Sequence, residues 1–189
     1  MKKVLSFAVV AALFSVAVSC SHDDYNGPTT VSPAAQQDTI AKFIAANGLT
    51  NLTKDTAQVL QGYVMSQVIN PGNVNKKFNL DTLPVIYFKV SGTFLNGTPF
   101  YTAGSTDLWV NFSGQGSVSS QDALNLFDYG GIVAYYLTSR LGEGGSVTFV
   151  TPSAYAYGVN PVSFSTGVTI PANTPLYYSQ LTIDSIRSK

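Results

Sequence analysis

Hydrophobic and polar positions divide the chain into a short helical front and a long series of strands, interrupted by one further helix. Gln36 to Asn47 reads QQDTIAKFIAAN, with Ile40, Phe43 and Ile44 at i, i+3 and i+4. This spacing lays one apolar stripe along a helix, and Gly48 supplies its C-terminal stop. From Val59 the text VLQGYVMSQVINPG reads as a strand running into a turn at Asn70-Pro71-Gly72. Pro84 to Gly92 is rich in β-branched and aromatic residues and predicts a central strand. Asn96-Gly97, set between Thr93-Phe94-Leu95 and Thr98-Pro99-Phe100, is a strong hairpin signal. Leu108-Trp109-Val110-Asn111-Phe112 predicts the next strand.

Ser119 or Ser120 is placed to cap a short helical turn at QDALNLF. After the Gly130-Gly131 break, IVAYYLTSRL carries Ile132, Val133, Tyr136, Leu137 and Leu141 on one side, an amphipathic helix. Val147 and Phe149 then alternate with Ser146 and Thr148, the period of a half-buried strand. Pro152 has no N–H to donate and ends that ladder. A loop follows with Tyr155, Tyr157, Ile170, Pro171 and Pro175, before the closing strand-like run LYYSQLTIDSI. An apolar, aromatic wall on a loop beside a sheet suits a shallow peptide-binding pocket.

The front end changes the picture of where the chain works. MKKVLSFAVVAALFSVAVSC places two lysines before an apolar run and small residues before Cys20. That is a secretory signal peptide, too short for a comfortable membrane span and set aside from the fold. Ala17-Val18-Ser19-Cys20 resembles a bacterial lipobox, which implies lipidation of Cys20. Ser21 after the cysteine, and Asp23-Asp24 nearby, resemble lipoproteins sorted to the outer membrane or exported to the surface in Bacteroidetes. The expected division is therefore signal peptide 1–19, lipidated Cys20 with a flexible linker to 35, and one folded domain over 36–189.

Charged residues make up 11% of the chain. Two of its 10 basic residues, Lys2 and Lys3, lie in the leader, which leaves 8 against 10 acidic side chains in the mature protein. With no basic patch, nucleic acid is not an expected partner. Cys20 is the lone cysteine and His22, in the linker, the lone histidine. No disulfide can form within the domain, and His-based triads, thiol nucleophiles and zinc clusters are excluded there. No phosphate-binding glycine loop is present, and neither a cofactor nor a metal is expected.

Ser153, Ala156-Tyr157-Gly158, Ile170-Pro171 and Asn173-Thr174-Pro175-Leu176 recur in the order and spacing of the C-terminal half of the FKBP family of peptidyl-prolyl cis-trans isomerases, which the chain resembles. Gly92, Gly97 and Phe100 match the family's hairpin. The front helix and its Asn-Gly-Leu-Thr exit resemble the leader of Bacteroidetes lipoprotein FKBPs, so the likeness spans most of residues 36–187. It implies an α+β fold: a bent antiparallel sheet, a half-barrel, wrapped around one short helix, with an extra helix at the N-terminus.

The resemblance also implies roles. Tyr157 stands where the family's tyrosine hydrogen-bonds the substrate carbonyl, and Phe100 stands at the aromatic wall; these two are the catalytic candidates. Ile170 matches the apolar residue over the pocket, and Tyr178 the aromatic of the closing strand. Trp109 or Leu108 would extend the wall. Three positions depart from the family. Tyr101 replaces the pocket carboxylate, Val90 replaces a tyrosine, and Ile132 or Val133 replaces the tryptophan floor. The pocket is therefore expected to be more apolar and shallower.

Prolyl isomerisation suits such a residue set. Resonance gives the X-Pro bond a rotational barrier of about 18–20 kcal/mol. The twisted transition state is less dipolar than the planar amide, so an apolar, water-poor pocket favours it. The expectation is a weak peptidyl-prolyl isomerase of the cell envelope, acting on proline-containing polypeptides as a lipid-anchored monomer. The alternative is a degenerate FKBP-like module that binds peptide or protein without turnover.

Overall fold

The computed structural model describes residues 29–102, 108–112, 117–129 and 131–187. Cys20 and the leader lie outside the described residues. Among those described, no helix is long and apolar enough to cross a membrane.

Ser32 opens the described helical front. Its hydroxyl accepts from the Ala35 amide at 3.3 Å, and Pro33 takes the first helical position of a 3-10 turn, Pro33–Gln36. Helix α1, Gln37–Ala46, follows and buries Ile40 and Phe43 against Leu52 and Val150. Gly48, at φ 64°, ends it. The Gly48 amide donates to the Ala45 carbonyl and the Leu49 amide to the Ile44 carbonyl, which satisfies the last turn's orphan acceptors.

Two short hairpin partners precede the central strand: β1 (Thr53–Lys54) pairs with β2 (Met65–Asn70), and β3 (Asn73–Lys77) starts a second small sheet. The strand expected from Val59 begins only at Met65. Leu60 and Tyr63 donate to carbonyls three residues back, and Gln61 and Gly62 both take positive φ, so residues 57–63 are successive tight turns. Strand β4 (Val85–Phe94) alternates buried and half-buried residues along most of its length. The Asn96-Gly97 turn leads to β5 (Pro99–Tyr101): Gly97 donates to the Phe94 carbonyl and the Thr98 amide to the Asn96 side chain. Strands β6 (Leu108–Asn111) and β7 (Ser117–Val118) complete this side of the sheet.

Ser120, not Ser119, caps the short helix α2 (Gln121–Leu124), accepting from the Ala123 amide at 3.1 Å; the chain then widens into a π-helical turn, Asn125–Tyr129. Helix α3 (Gly131–Tyr135) widens likewise over Tyr136–Arg140, and Ile132, Val133, Tyr136 and Leu137 are buried on its inner side. Strand β8 (Gly142–Glu143) pairs with β3, and β9 (Ser146–Thr151) enters the main sheet. A small separate hairpin, β10 (Val162–Ser163) and β11 (Thr169–Ile170), precedes the long closing strand β12 (Leu176–Arg187).

The main sheet runs β1-β2-β9-β12-β4-β6-β7, with β5 also on β4, and every pair in it is antiparallel. Register shifts in β12 between Tyr178 and Gln180 and between Ile183 and Ser185 bend it, as inserted residues do. The sheet is bent but not closed into a barrel, and its concave face packs on α3: an α+β half-barrel.

Candidate functional site

Strands β4, β5, β9 and β12 send aromatic rings to one side, and these form a continuous ladder through the core. Tyr136 packs on Phe149 at 4.8 Å between ring centroids, and Phe149 stacks on Tyr178 at 4.5 Å. Tyr178 and Phe100 meet edge to face at 5.4 Å, and Phe94 and Phe100 likewise at 5.9 Å. Gly92 makes room for this. A Cβ built there would lie 2.3 Å from Cζ of Phe100, so the ring lies directly on the β4 backbone.

Phe164, on the β10–β11 hairpin, completes the ladder. Its centroid is 6.0 Å from Phe100, 5.4 Å from Tyr101 and 6.4 Å from Tyr157. Phe100, Tyr101 and Tyr157 thus make a three-sided cradle, and Phe164 sits in it. Phe164 is buried, as is Tyr157. Phe100 is 1% exposed, and Ile170 and Tyr178 not at all.

The structure therefore brings Phe100, Tyr157 and Tyr178 together with Tyr101, as the sequence pattern groups them, but around a side chain of the protein itself rather than an open cleft. Val90 and Ile132 are buried in the same core cluster. Ile132 also lines a separate groove of about 460 Å³ with Leu60, Tyr135, Tyr155 and Ala156. Trp109 lies elsewhere. It pairs across to Tyr87 and is half-buried, while its neighbours Leu108 and Val110 are the buried positions of β6.

The cradle is lined by apolar rings and phenols, with the Asp122 carboxylate acting on Tyr101. Burial pushes the Tyr157 phenol well above its ordinary pKa. Burial pushes Tyr178 up as well, helped by its neighbour Tyr157. The two phenols shift one another through their hydroxyls, and neither hydroxyl has a partner outside this pair. Both remain protonated donors at physiological pH. Tyr101 is shifted upward first by burial and then by the charge of Asp122. Among the described residues no group of three or more acidic, His or Cys side chains could hold a metal.

Polar contacts fasten the loops around the cradle. The Gln36 side chain accepts from the Ser153 amide and donates to the Asn173 carbonyl, both at 2.8 Å. The Asn173 side chain accepts from the Val31 amide at 3.0 Å and donates to the Thr29 carbonyl at 3.1 Å. Residues 29–36, read from sequence mostly as linker, are thus stitched to the site loop. On the other side Asp122 accepts from the Ser165 amide at 2.8 Å and from the Ser165 hydroxyl, and Asn125 donates to the Ser163 carbonyl at 2.9 Å. Phe164, Asp122 and Asn125 were not legible as site residues. One weak signal was available, a single phenylalanine beside a Ser-Thr-Gly turn.

No protein-family model matches the sequence, and a search of curated proteins gave no significant match. Solved structures do resemble the fold. A DUF4827 family protein from Parabacteroides distasonis superposes with a TM-score of 0.53 at 15% identity, covering 83% of this chain and 96% of that one. The structure of the three FKBP domains of wheat FKBP73 superposes at 0.50 with 14% identity, covering 73% of this chain and 51% of that one. A peptidyl-prolyl cis-trans isomerase from Pseudomonas syringae reaches 0.49 at 15% identity, over 85% of this chain and 100% of that one. The fold is FKBP-like, as the residue pattern implied.

Proposed function

We propose that this chain is a cell-envelope lipoprotein whose FKBP-like domain serves as a polypeptide-binding module and does not act as an efficient prolyl isomerase. The observation that carries this reading is the occupied cradle. Phe164 fills the space between Phe100, Tyr101 and Tyr157, and the Tyr157 hydroxyl is sealed from solvent. An X-Pro bond has no path to that hydroxyl while the ring is in place. Tyr101, standing where the family carries a carboxylate, supports the same reading.

A protease-coupled assay on a succinylated Ala-Leu-Pro-Phe anilide tests it. The mature protein is expected to leave the uncatalysed relaxation, on the order of tens to hundreds of seconds, unchanged. A relaxation rate rising in proportion to protein concentration would overturn the reading and restore the isomerase expected from the residue pattern.

The anchor is a separate part of the proposal. The signal-like leader and Cys20 support attachment to the outer membrane through lipid alone, with each buried CH₂ contributing about 0.8 kcal/mol. Cys20→Ala is expected to appear in the soluble fraction with its domain folded. Sedimentation of the folded mutant with membranes would sink the lipoprotein assignment.

A further inference from the structure

The β10–β11 hairpin has little to hold it by itself. It pairs only Val162 with Ile170 and Ser163 with Thr169, in a two-stranded sheet separate from the main one. Isolated two-stranded hairpins are marginal in water. Its turn closes through the Phe164 amide to the Val168 carbonyl and the Gly167 amide to the Phe164 carbonyl, both at 2.9 Å. Gly167 stands at φ 81°, a conformation other residues adopt only with strain. Ser165, Thr166 and Gly167 are exposed, while Phe164 between Ser163 and Ser165 turns inward.

Val162 and Ile170 are buried in the core and hold the two strands, and two further attachments keep the turn between them down. One is the Phe164 ring in the cradle. The other is the polar latch, in which Asp122 takes both donors of Ser165 and Asn125 reaches the Ser163 carbonyl. Hydrogen bonds to a carboxylate are among the stronger ones, but this latch ends at an exposed residue where a partner can compete for it. Elements with few contacts of their own are those that open locally, below the threshold of global unfolding.

Near the ring, the hydroxyls of Tyr157 and Tyr178 have only each other, so at least one of the two donors is left over, although Tyr157 is only 5% exposed and Tyr178 fully buried. A buried donor left unpaired costs free energy that an incoming acceptor would restore. The cradle's shape is also informative. It accepts a phenyl ring edge-on to Tyr157, at an interplanar angle of 80°, and tilted against Phe100 and Tyr101.

We propose that Phe164 is a displaceable internal ligand: the β10–β11 hairpin covers a cryptic site that, once unlatched, takes an aromatic side chain from a polypeptide, with a backbone carbonyl of that polypeptide accepting from Tyr157 or Tyr178. The proposal rests on the polypeptide-binding reading above and names both the group recognised and the element that controls access. Binding carries a cost, since the partner must replace a ring already in place.

The probe is the heptapeptide acetyl-Val-Ser-Phe-Ser-Thr-Gly-Val-amide, which copies residues 162–168, with a version carrying alanine for phenylalanine as control. Both are titrated calorimetrically into the mature wild-type chain, Asp122→Ala and Phe164→Ala. Asp122→Ala, with Phe164 intact, is expected to bind the phenylalanine peptide at least about tenfold more tightly than wild type, and Phe164→Ala more tightly still. The alanine peptide is expected to bind none of them. A folded Asp122→Ala chain with no gain over wild type overturns the proposal, and so does equal binding of the two peptides.

Because Phe164→Ala leaves a hole in the packing, hydrogen exchange supplies a readout that does not depend on it. In Asp122→Ala the Phe164 and Gly167 amides are expected to exchange at least about tenfold faster, with the β12 amides unchanged. Unchanged exchange at Phe164 and Gly167 overturns the latch. Isomerase activity of the wild-type chain would overturn the non-catalytic reading and leave the hairpin proposal standing on its own titrations.

Discussion

Tyr136 is fully buried and donates its phenol to Asp55 at 3.0 Å, whereas the Tyr157 phenol, 5% exposed, has only the Tyr178 phenol beside it. The two rings belong to one aromatic ladder, yet the ladder's ends are built differently. At the Tyr136 end, Asp55 also accepts from the Ala57 amide at 3.1 Å and from the Ser66 hydroxyl at 3.4 Å. This end is a finished polar network inside an apolar core. At the Tyr157 end, two phenols have only each other, beside a ring supplied by a small hairpin. Native structures pair nearly all their buried polar groups, so the less satisfied end stands out. The contrast is between a finished polar network and two phenols with hydrogen-bonding capacity to spare.

The largest effect that would test this contrast is loss of Asp55. Asp55→Ala leaves the Tyr136 phenol and the Ala57 amide without their acceptor, and stability measured by urea unfolding is expected to fall by roughly 2–3 kcal/mol. If it falls by less than Tyr157→Phe changes it, the two ends do not differ as described.

Raising the pH comes next. Burial raises the phenol pKa of Tyr136, Tyr157 and Tyr178 above the ordinary value of 10.0. The unfolded chain therefore ionises first. The stabilising contribution is complete below about pH 10 and is lost as pH climbs toward the folded-state values, at about 1.4 kcal/mol per pH unit for each tyrosine. Replacing both Tyr157 and Tyr178 by phenylalanine is expected to flatten the alkaline slope and leave the part due to Tyr136 and the other upward-shifted phenols, Tyr101 among them. An unaltered slope in that double variant would contradict the burial of the two phenols.

The smallest effect carries the sharpest sign. Tyr157→Phe removes a buried hydroxyl that has only the Tyr178 phenol beside it, and is expected to leave stability unchanged or raise it by up to about 1 kcal/mol. Tyr136→Phe is expected to lower stability by about 1 kcal/mol or somewhat more, because it breaks a made bond. Opposite signs in thermal unfolding would support the comparison; equal losses would show that the Tyr157 hydroxyl is paired after all.

Much of this arrangement was written in short-range pattern. The Ile40 and Phe43 stripe, the Gly48 stop, the Asn96-Gly97 hairpin and the alternation of β4 and β9 are local consequences of spacing and backbone preference, and the structure reproduces them. The segment from Val59 misled because its apolar residues could serve a strand or a set of packed turns, and Gly62 at φ 73° decided for turns. Gly92 was visible as a family-like glycine, but its reason, a phenyl ring lying on the backbone, needed the approach of β5.

What the sequence by itself determined was the main helices and longer strands with their apolar faces, which follow from side-chain periodicity and turn chemistry acting over a few residues. Its resemblance to the FKBP family added the half-barrel and the set of aromatic residues expected to line one site. The tertiary structure alone decided which aromatic residue occupies the site and which polar groups are satisfied. Asp55 meets Tyr136 across 81 positions, Asp122 meets Ser165 across 43, and Gln36 meets Ser153 across 117. No local rule connects such pairs. Each exists because burial in a shared core removes water and leaves a polar group only the partners that the chain's path happens to bring within reach.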